Sequence, residues 1–483
     1  MATGNLRGGV LPMTAANVVA LAMAIAAYLA YSRLLTPGEY GIYAGALAIS
    51  RLGTMALDGG LKVVLIKHSV PVSQSILRAL FLGSSTAAVL TWLLLVATVV
   101  TATFLGALSK DTALFFAFYG GAYFATYPFL FIPLAELERT QKFRPVAKVE
   151  ALTISIEYAL PAILWVAVKS GFWSFVIAAW LARALRSAMV AMATDDHRWL
   201  TGHDSPDWTG MKRLFREGLG LQIAVMTSIL RDSLHLIIVG TWFGKEWAGL
   251  YAWALQLCAV SSQVFVQTAT RVGLPALRNT NSSELRWQGT QTQIIWLTIL
   301  CATPLAFLPH IADAVNTAFF ESKWIEAIHL LPFLIARMLP SLVTTPLASL
   351  ILIERSAKVF ATANVQWTVT EILAAILLLY WLGPLGFAWS SSFMAWFGMA
   401  TFSSKLPYPA IFKSLFYNLI LRPSLWISMA FSGLYWWATT SMIINNGLVN
   451  VLALASFCGI VCLLIEERGR ILVCTMLTRR MKL

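Results

Sequence analysis

The chain has 483 residues, of which 58% are hydrophobic and 12% charged, and its mean hydropathy is +0.73. Soluble domains carry about a quarter charged residues, so this composition excludes a water-soluble fold and predicts a polytopic helical membrane protein. The 35 basic residues exceed the 22 acidic ones and give a net charge of +13, but no aromatic RNA-binding signature or helix-turn-helix segment accompanies them, so no nucleic-acid partner is expected.

Fourteen apolar runs, bounded by proline, glycine or charged residues, are long enough to cross a bilayer, which takes about 20 residues. In chain order they cover 12–35, 41–66, 76–101, 112–133, 147–168, 172–193, 218–242, 246–272, 290–311, 325–353, 359–381, 385–404, 424–444 and 447–465. The first run continues into a second apolar segment with no polar region behind it, so we interpret it as an uncleaved anchor rather than a signal peptide.

The basic residues are distributed unevenly over the two sides of this arrangement. Twenty-five of the 35 lie at the termini or in connections after even-numbered spans, five lie in connections after odd-numbered spans, and five lie within spans. Cytoplasmic loops carry an excess of Lys and Arg. The sequence therefore predicts a multi-pass protein of the bacterial inner membrane with both termini in the cytoplasm.

A short internal repeat divides the chain. GIYAGAL at 41–47 and GLYAWAL at 249–255 share one pattern at an offset of 208 residues, and each opens the second span of a set of six. An even number of spans gives both copies the same orientation, as in transporters whose halves rock around a central site. We therefore predict an all-α membrane protein of about 14 transmembrane helices, with a six-helix lobe at 1–210, a second at 211–404, and a linker, helices 13–14 and a basic tail at 405–483.

Ionisable residues inside the spans are the candidates for function. Each costs about 2.5–3.5 kcal/mol at the bilayer centre, so such groups normally face protein or a wet cavity. In span 2, the spacing of Arg51, Asp58 and Lys62 places all three on one helix face, and Asp58 can form an i,i+4 pair with Lys62. The others are Glu157 in span 5, Arg231, Asp232 and His235 in span 7, Arg337 in span 10 and Glu371 in span 11.

Two interpretations apply to these charges: ion pairs that hold helices together, or groups that line a cavity for an anionic ligand. Where opposite charges are close in sequence, the two interpretations are equally strong. The cavity interpretation is favoured for Arg51 and Arg337, which have no obvious local partner in the sequence. His235 fits a hydrogen-bonded helix contact better than a proton relay.

A motif begins at Arg33, near the end of span 1, and continues through span 2 in the segment LLTPGEYGIYAGALAISRLGTMALDGGLKVVLIKH at 34–68. Its residues are Arg33, Leu35, Glu39, Tyr40, Gly41, Tyr43, Asp58, Gly59, Gly60, Leu61 and Lys67. This motif resembles the opening of the polysaccharide-transporter, or Wzx-type, flippases, which belong to the exporter superfamily of the multidrug antiporters and the lipid II flippase. The second half keeps G-x-Y but has no D-G-G, so the motif assigns nothing there.

The resemblance implies an alternating-access flippase that moves an undecaprenyl-pyrophosphate-linked oligosaccharide from the inner to the outer leaflet, for exopolysaccharide, capsule or O-antigen assembly. It also implies a central cavity lined partly by cations, for which our substrate-binding candidates are Arg51, Lys62, Arg231 and Arg337. The candidates for coupling or gating are Asp58, Glu157, Asp232, His235 and Glu371. We expect no catalytic residue, cofactor or metal; the expected partners are the lipid-linked oligosaccharide, membrane lipids, and the polymerase and export machinery.

Two alternatives remain open at this point. A multidrug antiporter of the same superfamily would need a net acidic cavity, whereas the charges inside the spans include several cations. A membrane enzyme of polysaccharide assembly usually carries a large external loop, but every predicted external connection here is short. An acyltransferase would need a catalytic histidine, for which His235, His310 and His329 are available.

Overall fold

The computed structural model describes residues 3–58, 61–67, 72–140, 142–194, 198–201, 205–278 and 282–406. Within these ranges every regular element is an α-helix. The helices are α1 (Thr3–Leu34), α2 (Pro37–Asp58), α3 (Leu61–Lys67), α4 (Gln74–Phe104), α5 (Lys110–Arg139), α6 (Phe143–Val168), α7 (Trp173–Met192), α8 (Arg198–Thr201), α9 (Trp208–Arg278), α10 (Ser283–Phe319), α11 (Ile325–Glu354) and α12 (Ala357–Ser404). The predicted spans at 424–444 and 447–465 lie outside the described residues.

Seven helical stretches in the described part of the chain are long and apolar enough to cross a membrane. They are Gln74–Phe104, Lys110–Arg139, Phe143–Val168, Trp173–Met192, Gln222–Val260, Ile325–Glu354 and Lys358–Ser404. A shorter apolar stretch, Val18–Leu34, lies in α1. The chain is therefore a multi-pass helical membrane protein, which confirms the class that its composition predicts.

Local sequence determines where α2 begins. Pro37 occupies the first helical position, which suits proline because that position needs no N–H donor. The Thr36 N–H donates to Glu39 Oε2 at 2.8 Å, and the Glu39 N–H donates to Thr36 Oγ1 at 3.3 Å. This reciprocal arrangement is a capping box. Glu39, one of the motif residues, thus has a structural role at the start of α2.

Two long helices reverse direction at single glycines. Helix α9 is interrupted at Gly244 (φ 87°, ψ 174°) and α12 at Gly383 (φ 64°, ψ −151°). Backbone of this kind is accessible essentially to glycine alone. The two breaks fall in the predicted connections between spans 7 and 8 and between spans 11 and 12.

The described residues up to Trp253, together with Ala357–Ile372, form one compact unit. In this unit α5 packs against α2, α3, α4, α6 and α7, while α1 packs against α6. The short helix α3 is held by its apolar face, since Leu61, Val64 and Leu65 are buried in a cluster with Phe131 of α5. Helix α5 therefore packs against most of the first unit. Its side chains also take part in polar contacts with neighbouring helices.

The described residues from Ala254 to Ser356 and from Leu373 onward form a second compact unit. Its helices α10 and α11 pack along each other. Arg286 Nη1 lies 2.9 Å from Glu354 Oε1, which ties the start of α10 to the end of α11. Helix α11 is largely buried although it contains three prolines.

Candidate functional site

Arg51 is the exposed cation of the second predicted span. It lies in the second half of α2, and its side chain is exposed, whereas the neighbouring Ser50 is fully buried. A guanidinium group at membrane depth is unfavourable against lipid and normally faces water or protein. Arg51 can therefore present a permanent positive charge to a ligand in an aqueous cavity.

Asp58 and Lys62 both find partners on α5. The Tyr127 hydroxyl donates to Asp58 Oδ1 at 2.5 Å, and Lys62 Nζ donates to Glu138 Oε1 at 2.9 Å. The Lys62 and Glu138 side chains are about a quarter exposed, at 29% and 25%. The sequence suggested that Asp58 and Lys62 pair with each other; these contacts instead connect each of them to a neighbouring helix.

A second group, the Glu157 cluster, consists of Glu157 on α6, Arg183 on α7 and Tyr123 on α5. Glu157 Oε1 accepts a hydrogen bond from the Tyr123 hydroxyl at 2.7 Å and another from Arg183 Nη2 at 2.9 Å. The Arg183 guanidinium also lies over the Tyr123 ring, 4.0 Å from its centroid. The Glu157 side chain remains 23% exposed. The cluster joins three helices through one carboxylate oxygen.

A third group, the Glu371 cluster, consists of Glu371 on α12 with Arg231 and His235 on α9. His235 Nε2 lies 3.1 Å from Glu371 Oε1, and Arg231 Nε lies 3.6 Å from Glu371 Oε2. The side chains of Glu371 and His235 are fully buried, and that of Arg231 is 8% exposed. Asp232, in contrast, is 53% exposed, although its carboxylate lies 3.8 Å from Arg231 Nε.

Two aromatic residues support the Glu371 cluster. The Arg231 guanidinium lies over the Trp367 ring, 3.7 Å from its centroid, so a cation–π contact adds to the ion pair. His235 Nδ1 lies 3.2 Å from the Tyr251 hydroxyl. His235 is therefore positioned between a phenol and a carboxylate, and its two ring nitrogens have different partners.

Arg337 belongs to the second compact unit. It lies on α11 between Pro332 and Pro340, and 5% of the residue is exposed. Arginine stays charged when buried, so Arg337 places a permanent charge inside a largely apolar helix.

Sequence reasoning missed Arg183 and Tyr123. Arg183 was recognised as a charge within a span but received no role, and Tyr123 has no distinguishing sequence context. A usable signal was present: Glu150 and Glu157 are seven residues apart on α6, and Arg183 and Arg186 are three apart on α7, so each pair shares a helix face. The structure pairs these faces, because Arg186 Nη2 lies 3.1 Å from Glu150 Oε1.

Within the described ranges, no group of three or more His, Cys, Asp or Glu side chains could hold a metal ion. Cys258 and Cys301 are buried free thiols. The candidate site is thus a set of charged and hydrogen-bonded side chains between helices, which can bind ions or charged head groups.

Solved structures with the same helical arrangement define the class of protein. The lipid II flippase MurJ, in an inward closed conformation, is similar with a TM-score of 0.65 at 12% identity over 95% of this chain and 99% of that one. A multidrug resistance MATE family transporter of the MOP superfamily, in an inward-facing conformation, gives a TM-score of 0.58 at 13% identity over 80% and 95% of the two chains. The chain has the fold of these membrane transporters.

Sequence comparison then identifies the family. The family model described as "Polysaccharide biosynthesis protein" matches residues 30–329. The chain belongs to this family, which confirms the resemblance carried by the motif at 34–68. The teichuronic acid biosynthesis protein TuaB of Bacillus subtilis (strain 168) is 26% identical over 126 residues. That match spans about a quarter of the length of this curated relative, 26% of each chain.

Proposed function

We propose that this protein is a flippase that moves an undecaprenyl-pyrophosphate-linked oligosaccharide from the cytoplasmic to the outer leaflet of the bacterial inner membrane. It would act by alternating access of two six-helix lobes, at 1–210 and 211–404, within a 14-helix chain. Family membership supports a role in polysaccharide biosynthesis, and the shared fold supports a transporter rather than an enzyme. Expected partners are the carrier lipid, membrane lipids, and the polymerase and export machinery.

The observation that carries the proposal is the exposed guanidinium group of Arg51 in the second half of α2. A polyisoprenoid tail can stay in the lipid while its diphosphate crosses through protein, so the transporter must replace the hydration that this anion loses. A guanidinium group does so with charge-assisted hydrogen bonds. Arg51 is our primary candidate for this role. Arg337, Lys62 and Arg231 are further candidates, and Lys62 and Arg231 would have to release the carboxylates that they contact.

The carboxylates and His235 are proposed to couple or gate transport. Glu371, with His235 at 3.1 Å, is the strongest candidate because a fully buried carboxylate is costly to leave unpaired, so any exchange of its partners can be coupled to transport. Asp58 and Glu157 are hydrogen-bonded by tyrosines from α5, which suits gating contacts that break and re-form. Asp232 is proposed as an exposed exchange partner for Arg231.

The test of the proposal is the substitution Arg51→Ala in a strain that lacks the chromosomal gene. Cell-surface polymer should fall at least tenfold while lipid-linked oligosaccharide accumulates on the inner leaflet. Arg51→Lys keeps the charge and should retain a measurable fraction of export, and Arg337→Ala should behave like Arg51→Ala. Normal polymer from both alanine variants would contradict the cationic assignment. Normal polymer in the gene-deleted strain, with increased drug sensitivity, would instead favour a multidrug antiporter.

The orientation is tested separately with single-cysteine variants. With both termini in the cytoplasm, Lys245→Cys and Lys323→Cys should react with a membrane-impermeant maleimide added outside intact spheroplasts. Protection of both sites from the outside reagent would reverse the proposed orientation.

A further inference from the structure

The two copies of the internal repeat contact each other at their first glycines. A Cβ built on Gly41 would overlap the Lys245 carbonyl oxygen and lie 2.8 Å from the Gly249 nitrogen. A Cβ built on Gly249 would overlap the Pro37 carbonyl oxygen and lie 2.9 Å from the Gly41 nitrogen. The backbones of α2 and of the second segment of α9 are therefore in direct contact, and both positions require glycine. We call Pro37–Gly41 and Lys245–Gly249 together the glycine crossing.

The contacts in the glycine crossing are reciprocal. Gly41 and Gly249 are related by the repeat offset of 208 residues, and so are the two residues whose carbonyl oxygens they meet, Pro37 and Lys245. Each glycine thus meets the residue four positions before its own counterpart. Contacts exchanged in this way are the signature of a twofold relation between two similar elements. The two copies of the repeat therefore supply matching surfaces that pack together, one at the beginning of α2 and one at the beginning of the second segment of α9.

Side chains of α1 hold the neighbouring turn of α9. The Tyr28 hydroxyl donates to the Trp253 carbonyl oxygen at 3.2 Å, and Trp253 Nε1 donates to Ser32 Oγ at 2.8 Å. Trp253 is 1% exposed. These hydrogen bonds tie α1 to α9 one turn beyond Gly249.

A glycine contact of this kind is suited to repeated opening. Small residues let helix backbones approach closely in a membrane without interlocking side chains, so the helices can separate and meet again without rotamer changes. Under the orientation proposed above, the crossing lies at the outer end of both helices, because each copy of the repeat follows a predicted external turn.

We propose that the glycine crossing is the external gate of the transporter, closed in this structure and opened when the head group leaves toward the outside. This proposal rests on the proposed function and adds a defined moving contact to it. If the glycine crossing is a gate, its two helices must separate once in each transport cycle. If it is a permanent helix junction, they stay in contact throughout. The two cases differ in what happens when the crossing is locked.

The gate is locked with a reversible disulfide. A Cβ on Gly38 would lie 3.5 Å from Glu246 Cγ, close to the spacing that a disulfide needs. Gly38→Cys with Glu246→Cys, in a chain whose five native cysteines are replaced by alanine, should cross-link in membranes on oxidation. The cross-linked protein should lose export at least tenfold, and dithiothreitol should restore it. Full export by fully cross-linked protein would overturn the gate while leaving the flippase function intact.

Alanine variants test the glycine contact itself. In the same cysteine pair, Gly41→Ala or Gly249→Ala should each reduce the cross-link yield at least fivefold, and by similar amounts because the contact is reciprocal. Gly45→Ala is the matched control: its Cβ would meet only the Phe116 ring, 3.3 Å from Cζ, which can move. Unchanged yields in both test variants, or an equal loss in the control, would overturn the proposal. If the reduced protein and the wild type export no polymer, the proposed function fails, whatever the cross-linking result.

Discussion

The Glu157 cluster and the Glu371 cluster each hold a carboxylate inside a membrane protein, but the two carboxylates differ in their partners and in their burial. Glu157 receives short hydrogen bonds from a phenol and a guanidinium, at 2.7 and 2.9 Å, and keeps 23% of its side chain exposed. Glu371 is fully buried, with a histidine at 3.1 Å and an arginine at 3.6 Å. The first carboxylate receives short hydrogen bonds from a guanidinium and a phenol, whereas the second lies closer to a histidine than to an arginine.

This difference suggests different roles for the two clusters. The Glu157 cluster has the shorter contacts, so it is suited to holding α5, α6 and α7 together until those contacts break in the proposed gating step. Glu371 lies closer to His235 than to Arg231, so a permanent cation holds it less tightly, and we expect its contacts to rearrange more readily during a transport cycle. We therefore expect the Glu371 cluster to be the more sensitive of the two, both in stability and in transport.

The largest expected effect comes from removing the arginine of each cluster. Arg231→Ala leaves a fully buried carboxylate without its permanent cation and should destabilise the protein by about 3–5 kcal/mol. Arg183→Ala should reduce the free energy of unfolding by less, about 1–3 kcal/mol, because Glu157 is only partly buried and keeps its hydrogen bond from Tyr123. Melting temperatures and monodisperse yields in detergent provide the comparison. A loss for Arg183→Ala that equals or exceeds that of Arg231→Ala would mean that burial does not distinguish the clusters.

A double substitution separates stability from transport in the Glu371 cluster. Replacing a buried ion pair by apolar residues of similar volume is often neutral or stabilising, so Arg231→Met with Glu371→Leu should melt close to the wild type. Export should nevertheless fall about tenfold or more, since the charge that would move with His235 has been removed. Wild-type export from this well-folded variant would show that the cluster serves only as a structural ion pair.

The smallest expected effect concerns a single hydrogen bond of the Glu157 cluster. Tyr123→Phe removes the hydroxyl that donates to Glu157 and should cost about 0.5–1.5 kcal/mol. Tyr119→Phe is the control, because within the described residues the Tyr119 hydroxyl contacts that of Tyr123 at 3.3 Å and makes no hydrogen bond to Glu157. Equal shifts in melting temperature for the two variants would place the stabilisation in the tyrosine pair rather than in Glu157.

Much of the fold follows from local sequence. Apolar runs predict the helices because the backbone of a spanning segment must satisfy its own hydrogen bonds. The capping box of Thr36 and Glu39 marks the start of α2, and Gly244 and Gly383 mark the reversals within α9 and α12.

The candidate site was predictable only in part. The cost of burying charge identifies Glu157, Arg231, His235 and Glu371 as residues that need an explanation. Their partners depend on helices far apart in the chain: Glu371 is 136 residues from His235, so no local spacing rule connects them. Arg183 had a recognisable pattern on α7, but its partner on α6 could be assigned only from the packing of the two helices.

The reversal at Gly244 also has a consequence for how the protein is made. One glycine in backbone geometry closed to other residues turns the chain, and a Cβ there would meet no atom within 4 Å. Glycine is therefore required here by the backbone conformation and not by a lack of space for a side chain. With so short a turn, the two helical segments that it joins cannot enter the bilayer far apart in time or place. We therefore expect the two segments to insert as one hairpin, in which the second repeat copy enters the membrane together with the helix that carries Arg231 and His235.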